Sequence, residues 1–228
     1  MKNRRQFLAG TATIGIVSVT GHRVLGQGQE ETKRLDVELV GKFVAKSHGD
    51  FEAVKELMKQ EPALINAAWD WGAGDWETGL GAASHTGRRN IAEYLLENGS
   101  RIDVFAATML GIRPVVVEML HAFPKIHAVA GPHGICLLTH AIFGGEQADE
   151  IFALLIEAGA NVNSSAKQKT TPLMAAAGLG RIEILETLLQ KGADPGAANV
   201  NGQTARDIAN KKEHQEIVAM LEKAMKKN

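Results

Sequence analysis

Thr171-Pro172-Leu173-Met174-Ala175-Ala176-Ala177-Gly178-Leu179-Gly180, followed by Arg181-Ile182-Glu183-Ile184-Leu185-Glu186-Thr187-Leu188-Leu189-Gln190-Lys191-Gly192-Ala193-Asp194, is the stretch whose reading decides the fold. Thr171 can cap a short helix, and Pro172 suits its first position, where a missing N–H costs nothing. The small run Ala175 to Ala177 lets a neighbouring helix approach closely. Gly180 ends that helix. Ile182, Ile184, Leu185, Leu188 and Leu189 form the apolar stripe of a second helix, which Gly192 stops. The unit is therefore a pair of short helices, apolar toward its neighbours.

The frame recurs on both sides. Thr204 lies 33 residues after Thr171 and opens Thr204-Ala205-Arg206-Asp207-Ile208-Ala209. Upstream, Thr78-Gly79-Leu80-Gly81-Ala82-Ala83-Ser84-His85-Thr86-Gly87 leads into Ile91 to Gly99. Gly134 to Ala141 begins a further copy, which carries about two extra residues around Glu146 to Asp149. Gly111 follows Gly87 by only 24 residues, so a third copy has helices but no room for a connecting hairpin. Leu35 to Asn66 keeps His48-Gly49-Asp50 and a second helix from Phe51 to Lys59.

A fixed period of this length marks stacked repeats, and the sequence resembles the ankyrin-repeat family across residues 35–226. The expectation is an all-α ankyrin-repeat solenoid of about six helix–turn–helix repeats with short hairpin loops. The repeats fall near 35–66, 67–103, 104–128, 131–164, 165–198 and 199–226, the first and third irregular. The charged Lys211, Lys212, Glu213 and Glu216 suit the polar outer face that a terminal repeat requires.

Residues 1–26 read differently. Lys2, Arg4 and Arg5 precede a short, Thr- and Gly-diluted apolar run, Phe7 to Val19. Such a run is too short to span a bilayer and has the layout of an export signal. Asn3-Arg4-Arg5-Gln6-Phe7-Leu8 resembles the twin-arginine export motif, although Asn replaces its usual Ser or Thr and its later Lys is missing. The resemblance implies a bacterial protein exported to the periplasm, with residues 1–26 as signal, 27–34 as linker, and no stable membrane insertion after signal removal.

The whole chain holds 25 basic and 26 acidic residues. Without the four cations of the head, 21 basic residues face 26 acidic ones. An acidic domain lacking a basic run is a poor partner for nucleic acid. Cys136 is the single cysteine, which excludes an internal disulfide and a thiolate zinc cluster.

All three tryptophans fall in WDWGAGDW, Trp69 to Trp76. The ankyrin frame makes this segment a hairpin finger between the first and second copies. It implies that partners dock on the face formed by finger tips and the ends of the first helices. That face is expected to carry Trp69, Trp71, Asp75, Trp76, Glu77, His85, Thr86, Met109, His133 and Phe143. The indoles have two readings: packing as an N-terminal cap, or anchoring a partner, a role in which Trp is enriched.

His48, His85, His133 and His140 cluster loosely along the frame, with Asp70, Asp75 and Glu77 nearby, a set of types that could bind zinc or another divalent metal. His48 and His85 hold nearly equivalent places in adjacent copies. No pair has a helical metal-ligand spacing, so no metal site, cofactor or catalytic residue is assigned. The function that follows is a non-catalytic scaffold, expected to be monomeric, for a protein or peptide of the bacterial envelope. The alternative is a small-molecule or metal-binding periplasmic protein, or an enzyme, using the Trp, His and Asp side chains.

Overall fold

In a computed structural model, residues 34–226 are described; the segment expected to be an export signal and nearly all of the expected linker lie outside them. Twelve α-helices follow one another: α1 (Val37–Ser47), α2 (Phe51–Gln60), α3 (Gly79–His85), α4 (Arg89–Glu97), α5 (Val104–Leu110), α6 (Arg113–Ala122), α7 (Leu137–Phe143), α8 (Asp149–Glu157), α9 (Pro172–Leu179), α10 (Ile182–Gln190), α11 (Ala205–Lys211) and α12 (Gln215–Met225). Consecutive helices pack in pairs, and α1, α3, α5, α7, α9 and α11 stack on one another in that order. None is long and apolar enough to cross a membrane.

Short polar side chains start the odd-numbered helices. Thr78 and Thr171 accept from the backbone N–H three residues on, and Thr204 forms a reciprocal capping box with Asp207. Asp36 and Asp103 do the same work at α1 and α5. Cys136 holds the equivalent place before α7 but makes no cap bond. Its thiol is a weak hydrogen-bonding group.

The apolar stripes bury two core clusters. Phe43, Leu64, Leu80, Ile91, Leu95 and Met109 belong to the first; Leu138, Ile151, Leu155, Leu173, Leu188 and Leu221 belong to the second. The helix α5 serves both, giving Ala106, Met109 and Leu110 to one and Ala107 to the other. Burying one such large side chain contributes about 1.5–3 kcal/mol. Leu188 is fully buried as its place in the stripe requires, whereas Leu189 is only partly covered.

The fold is not purely helical. Ala68–Asp70 (β1) and Trp76–Thr78 (β2) pair antiparallel, with Trp69 opposite Glu77 and Asp70 opposite Trp76. The finger is thus a short β-hairpin. Gly72 and Gly74 adopt left-handed φ at its tip, and Ala73 between them does too. A second finger, closed by the bridge between Ala130 and Cys136, leads into α7. Between α4 and α5 the chain passes in a few residues without a hairpin. The second finger therefore reaches back to the first: Pro132 lies over Gly81 of α3, and the His133 N–H donates to Asp75 Oδ1 at 2.8 Å. The row continues through Lys167 N–H to His133 O at 2.8 Å and Val200 N–H to Gln168 O at 3.1 Å.

Candidate functional site

Four side chains converge at the fingers. His48 caps the end of α1, His85 ends α3, Glu77 lies on β2, and His133 sits in the second finger. One ligand-type atom from each lies within 4.8 Å of all the others. The His85 and His48 Nε2 atoms are 3.2 Å apart. Glu77 Oε2 is 3.4 Å from His48 Nε2 and 3.4 Å from His133 Nε2, while Glu77 Oε1 is 2.7 Å from His85 Nε2.

Each ring is held by a specific contact. The His48 Nδ1 faces the carbonyl oxygens of Val44 and Ala45 at 3.1 and 3.2 Å, so it is the protonated nitrogen. The His133 Nδ1 faces Asp75 Oδ2 at 2.7 Å and donates to it. In the neutral ring each therefore turns an accepting Nε2 inward. His133 adopts a left-handed backbone, φ 57°, which costs a β-carbon-bearing residue about 1–2 kcal/mol. The bonds to Asp75 hold it there. Glu77 lies on β2 ahead of α3 and His85 closes that helix eight residues on, and their side chains meet at 2.7 Å.

The surroundings favour negative charge. Glu77 is 1% exposed, and burial opposes its ionisation. The His85 ring and the Trp71 indole N–H, which donates to Oε2 at 2.7 Å, outweigh burial and hold the carboxyl below its ordinary range. Burial likewise opposes ionisation of Asp75, but the Lys167 ammonium at 2.8 Å and the His133 N–H and ring bring it down to about 2. One buried oxygen, Glu77 Oε1, has no hydrogen bond despite its short distance to His85. Nearby His140 is a packing residue: burial pushes its ring down to about 4, and its Nδ1 lies 2.9 Å from Cys136 O.

The finger tryptophans divide by role. Trp69 lies against α1, where a β-carbon on Gly41 would come within 3.0 Å of its ring. Trp71, 42% exposed, packs edge-on to His48 and secures Glu77. Trp76, 61% exposed, is open to solvent. Three other residues expected on the binding face are buried. Met109 is wholly buried, because α7 closes over the end of α5: the Gly144 backbone lies against the Met109 carbonyl. Glu77 and His85 face inward, so neither offers an open contact surface. Thr86 is half-buried, and its hydroxyl donates to Ala82 O at 2.6 Å. Sequence reasoning grouped His48 with His85 and His133 but assigned them no site, and it did not pair Lys167 with Asp75. The near-equivalence of His48 and His85 in adjacent copies was the one signal available.

Beside His85 the surface opens into an apolar groove of about 390 Å³. Met174, Thr139, Phe143, Leu179 and Ile208 line it, from α7, α9 and α11. A wider depression of about 810 Å³ lies between α10 and α12, and its lining holds no imidazole.

A family model for ankyrin repeats in three copies matches residues 104–199 and 137–228. Over 86 residues, 37% of this chain, the sequence is 46% identical to the Drosophila melanogaster ankyrin repeat and KH domain-containing protein mask. It is 43% identical over 121 residues, 53% of the chain, to human BCL-6 corepressor-like protein 1. Human ankyrin repeat and KH domain-containing protein 1 is 42% identical over 86 residues, 37% of the chain. The matches span only 2%, 6% and 3% of those proteins' own lengths. What is shared is the repeat, and with the stacked helix pairs and their capped starts it settles the assignment: this chain belongs to the ankyrin-repeat family.

Proposed function

We propose that the chain is a six-repeat, non-catalytic interaction scaffold, monomeric and exported to the bacterial periplasm. It receives a protein or peptide of the envelope along its fingers and first helices. The observation that carries this reading is the open apolar groove beside His85. Leu179, at the end of α9, is 47% exposed there. An exposed apolar groove rimmed by polar residues gains free energy when a partner covers it. Trp76 on the first finger supplies a second anchor of the residue type most enriched at interface centres. Stacked repeats offer extended surfaces suited to such partners. The twin-arginine-like head supports the location.

The test begins with affinity capture from a periplasmic extract, using the mature chain as bait. Leu179→Glu and Trp76→Ala alter exposed side chains and should leave the thermal melt unchanged. Each should weaken capture of the recovered partner at least tenfold. Wild-type capture by both variants would move the binding face away from this groove and finger.

A further inference from the structure

We propose that His48, His85, His133 and Glu77 bind one divalent transition-metal ion, zinc being the ion their arrangement fits. This inference is independent of the scaffold reading. It rests first on donor arithmetic. The Nδ1 bonds of His48 and His133 leave both Nε2 atoms as acceptors, and a carboxylate only accepts. With neutral rings, only His85 Nε2 can place a proton among four converging groups. That proton serves one contact. The Nε2 atoms of His48 and His133 are then left facing Glu77 Oε2 with no hydrogen between them, at 3.4 Å each. Glu77 Oε1 is already a buried oxygen without a well-directed hydrogen bond, although His85 Nε2 lies 2.7 Å away. A dication at the centre satisfies all of these acceptors together.

The dimensions agree. A tetrahedral zinc ion with bonds of about 2.0–2.2 Å has ligand-to-ligand edges of about 3.3–3.6 Å. With Glu77 Oε2 as the carboxylate ligand, three of the six edges, at 3.2, 3.4 and 3.4 Å, match; the 2.7 Å contact to His85 is made by the other oxygen, Oε1, and one ligand atom from each of the four residues lies within 4.8 Å of the others. Three imidazoles and one carboxylate suit zinc and its neighbours, whereas calcium and magnesium favour all-oxygen sets.

The supporting shell is also present. A metal-bound histidine generally donates its other N–H to a carboxylate or a backbone carbonyl. His133 does the first through Asp75 and His48 the second through Val44. Trp71 orients Glu77, and Lys167 neutralises Asp75, leaving the charge of Glu77 to face the ion. His48 and His133 are partly exposed, which leaves a route for an ion to enter.

The test uses the purified full chain, stripped with a chelator and titrated with Co²⁺. The Trp71 ring lies 5.9 Å from that of His48 and 6.0 Å from that of His133, so bound cobalt should quench tryptophan fluorescence. One equivalent should also develop the intense visible absorption of four-coordinate cobalt, and Zn²⁺ should abolish both signals. Glu77→Gln and His133→Ala, each checked for folding by circular dichroism, should weaken cobalt binding at least tenfold. Asp75→Asn should weaken it roughly 10–100-fold, as loss of such a supporting carboxylate does. His48→Ala, at the partly exposed end of α1, gives an independent variant should either of the first two unfold. His121→Ala, on α6, should bind as the wild type does. Absence of both optical signals, or their retention at wild-type affinity in the folded ligand variants, would overturn the proposal.

Discussion

Gly111→Ala probes the contact on which the shape of the middle of the stack depends. Gly111 ends α5 with a left-handed φ of 76°. A β-carbon there would come within 2.9 Å of the Gln147 carbonyl carbon and press on its oxygen. Two costs therefore combine. A left-handed backbone costs alanine about 1–2 kcal/mol, partly offset by about 0.4–1 kcal/mol from the less flexible unfolded chain. Overpacking adds about 1–3 kcal/mol. Two other glycines separate these terms. Gly99 has a φ of 95° with nothing within 4 Å of a β-carbon, so Gly99→Ala should show the backbone term alone, about 1 kcal/mol. Gly144 has an ordinary φ of −69°, but a β-carbon there would lie 2.6 Å from Ala148 Cβ, so Gly144→Ala should show sterics alone, about 1–3 kcal/mol. Gly111→Ala should cost about 1–5 kcal/mol, and at the centre of that range, about 3 kcal/mol, the melting temperature should fall by roughly 6–12 °C for a domain of this size. Urea unfolding followed by far-ultraviolet circular dichroism measures all three. If Gly111→Ala costs no more than Gly99→Ala, the close approach of α5 to the Gly145–Ala148 turn is wrong.

Leu188→Ala should cost about 2–5 kcal/mol by urea unfolding, because the side chain is fully buried in the second core; a loss below about 0.5 kcal/mol would mean the helix frame is misplaced. Burial holds His140 near 4, below its unfolded value of 6.5, so the unfolded chain binds the extra proton between those values. That contribution is complete above pH 6.5 and is lost as pH falls toward 4, on the order of 2–4 kcal/mol in all. In His140→Gln the stability–pH curve should flatten over that window, and an unchanged slope would assign the acid sensitivity elsewhere. Replacing Arg4 and Arg5 together by Lys should leave the precursor in the cytoplasm on fractionation; normal periplasmic accumulation would remove the twin-arginine reading.

The helix pairs were legible because they depend on local chemistry that repeats: a capping Thr or Asp, small residues for close approach, a 3.6-residue apolar stripe and a closing Gly. Thr171, Thr204 and Thr78 announce themselves without neighbours. The histidine cluster was not legible, because its members are 29, 8 and 48 residues apart in chain order and no local spacing joins them. Glu77 with His85 spans a helix, His48 comes from the preceding pair, and His133 comes from a finger that the absent third hairpin lets through. Met109 shows the same limit from the other side. Its place before Gly111 puts it on the open face in a regular repeat, but the shortened third pair lets α7 close over it. The tryptophans lay between these cases: their finger was readable, while their separate roles depend on Gly41, Glu77 and solvent.

Because α5 gives one side to each core, the stack has a built-in plane of weakness. Stability in repeat arrays is the sum of unit and neighbour terms, and such arrays open in cooperative blocks rather than uniformly. Slow amide exchange should therefore fall into two classes, divided near residue 107 rather than at either terminus. His48, Glu77 and His85 ride on the N-terminal block, and His133 is delivered by the chain entering the C-terminal one. Parting the blocks cannot spare the Asp75–His133 contact, so that contact acts as a latch across the plane, and whatever tightens it raises the work needed to split the array in two.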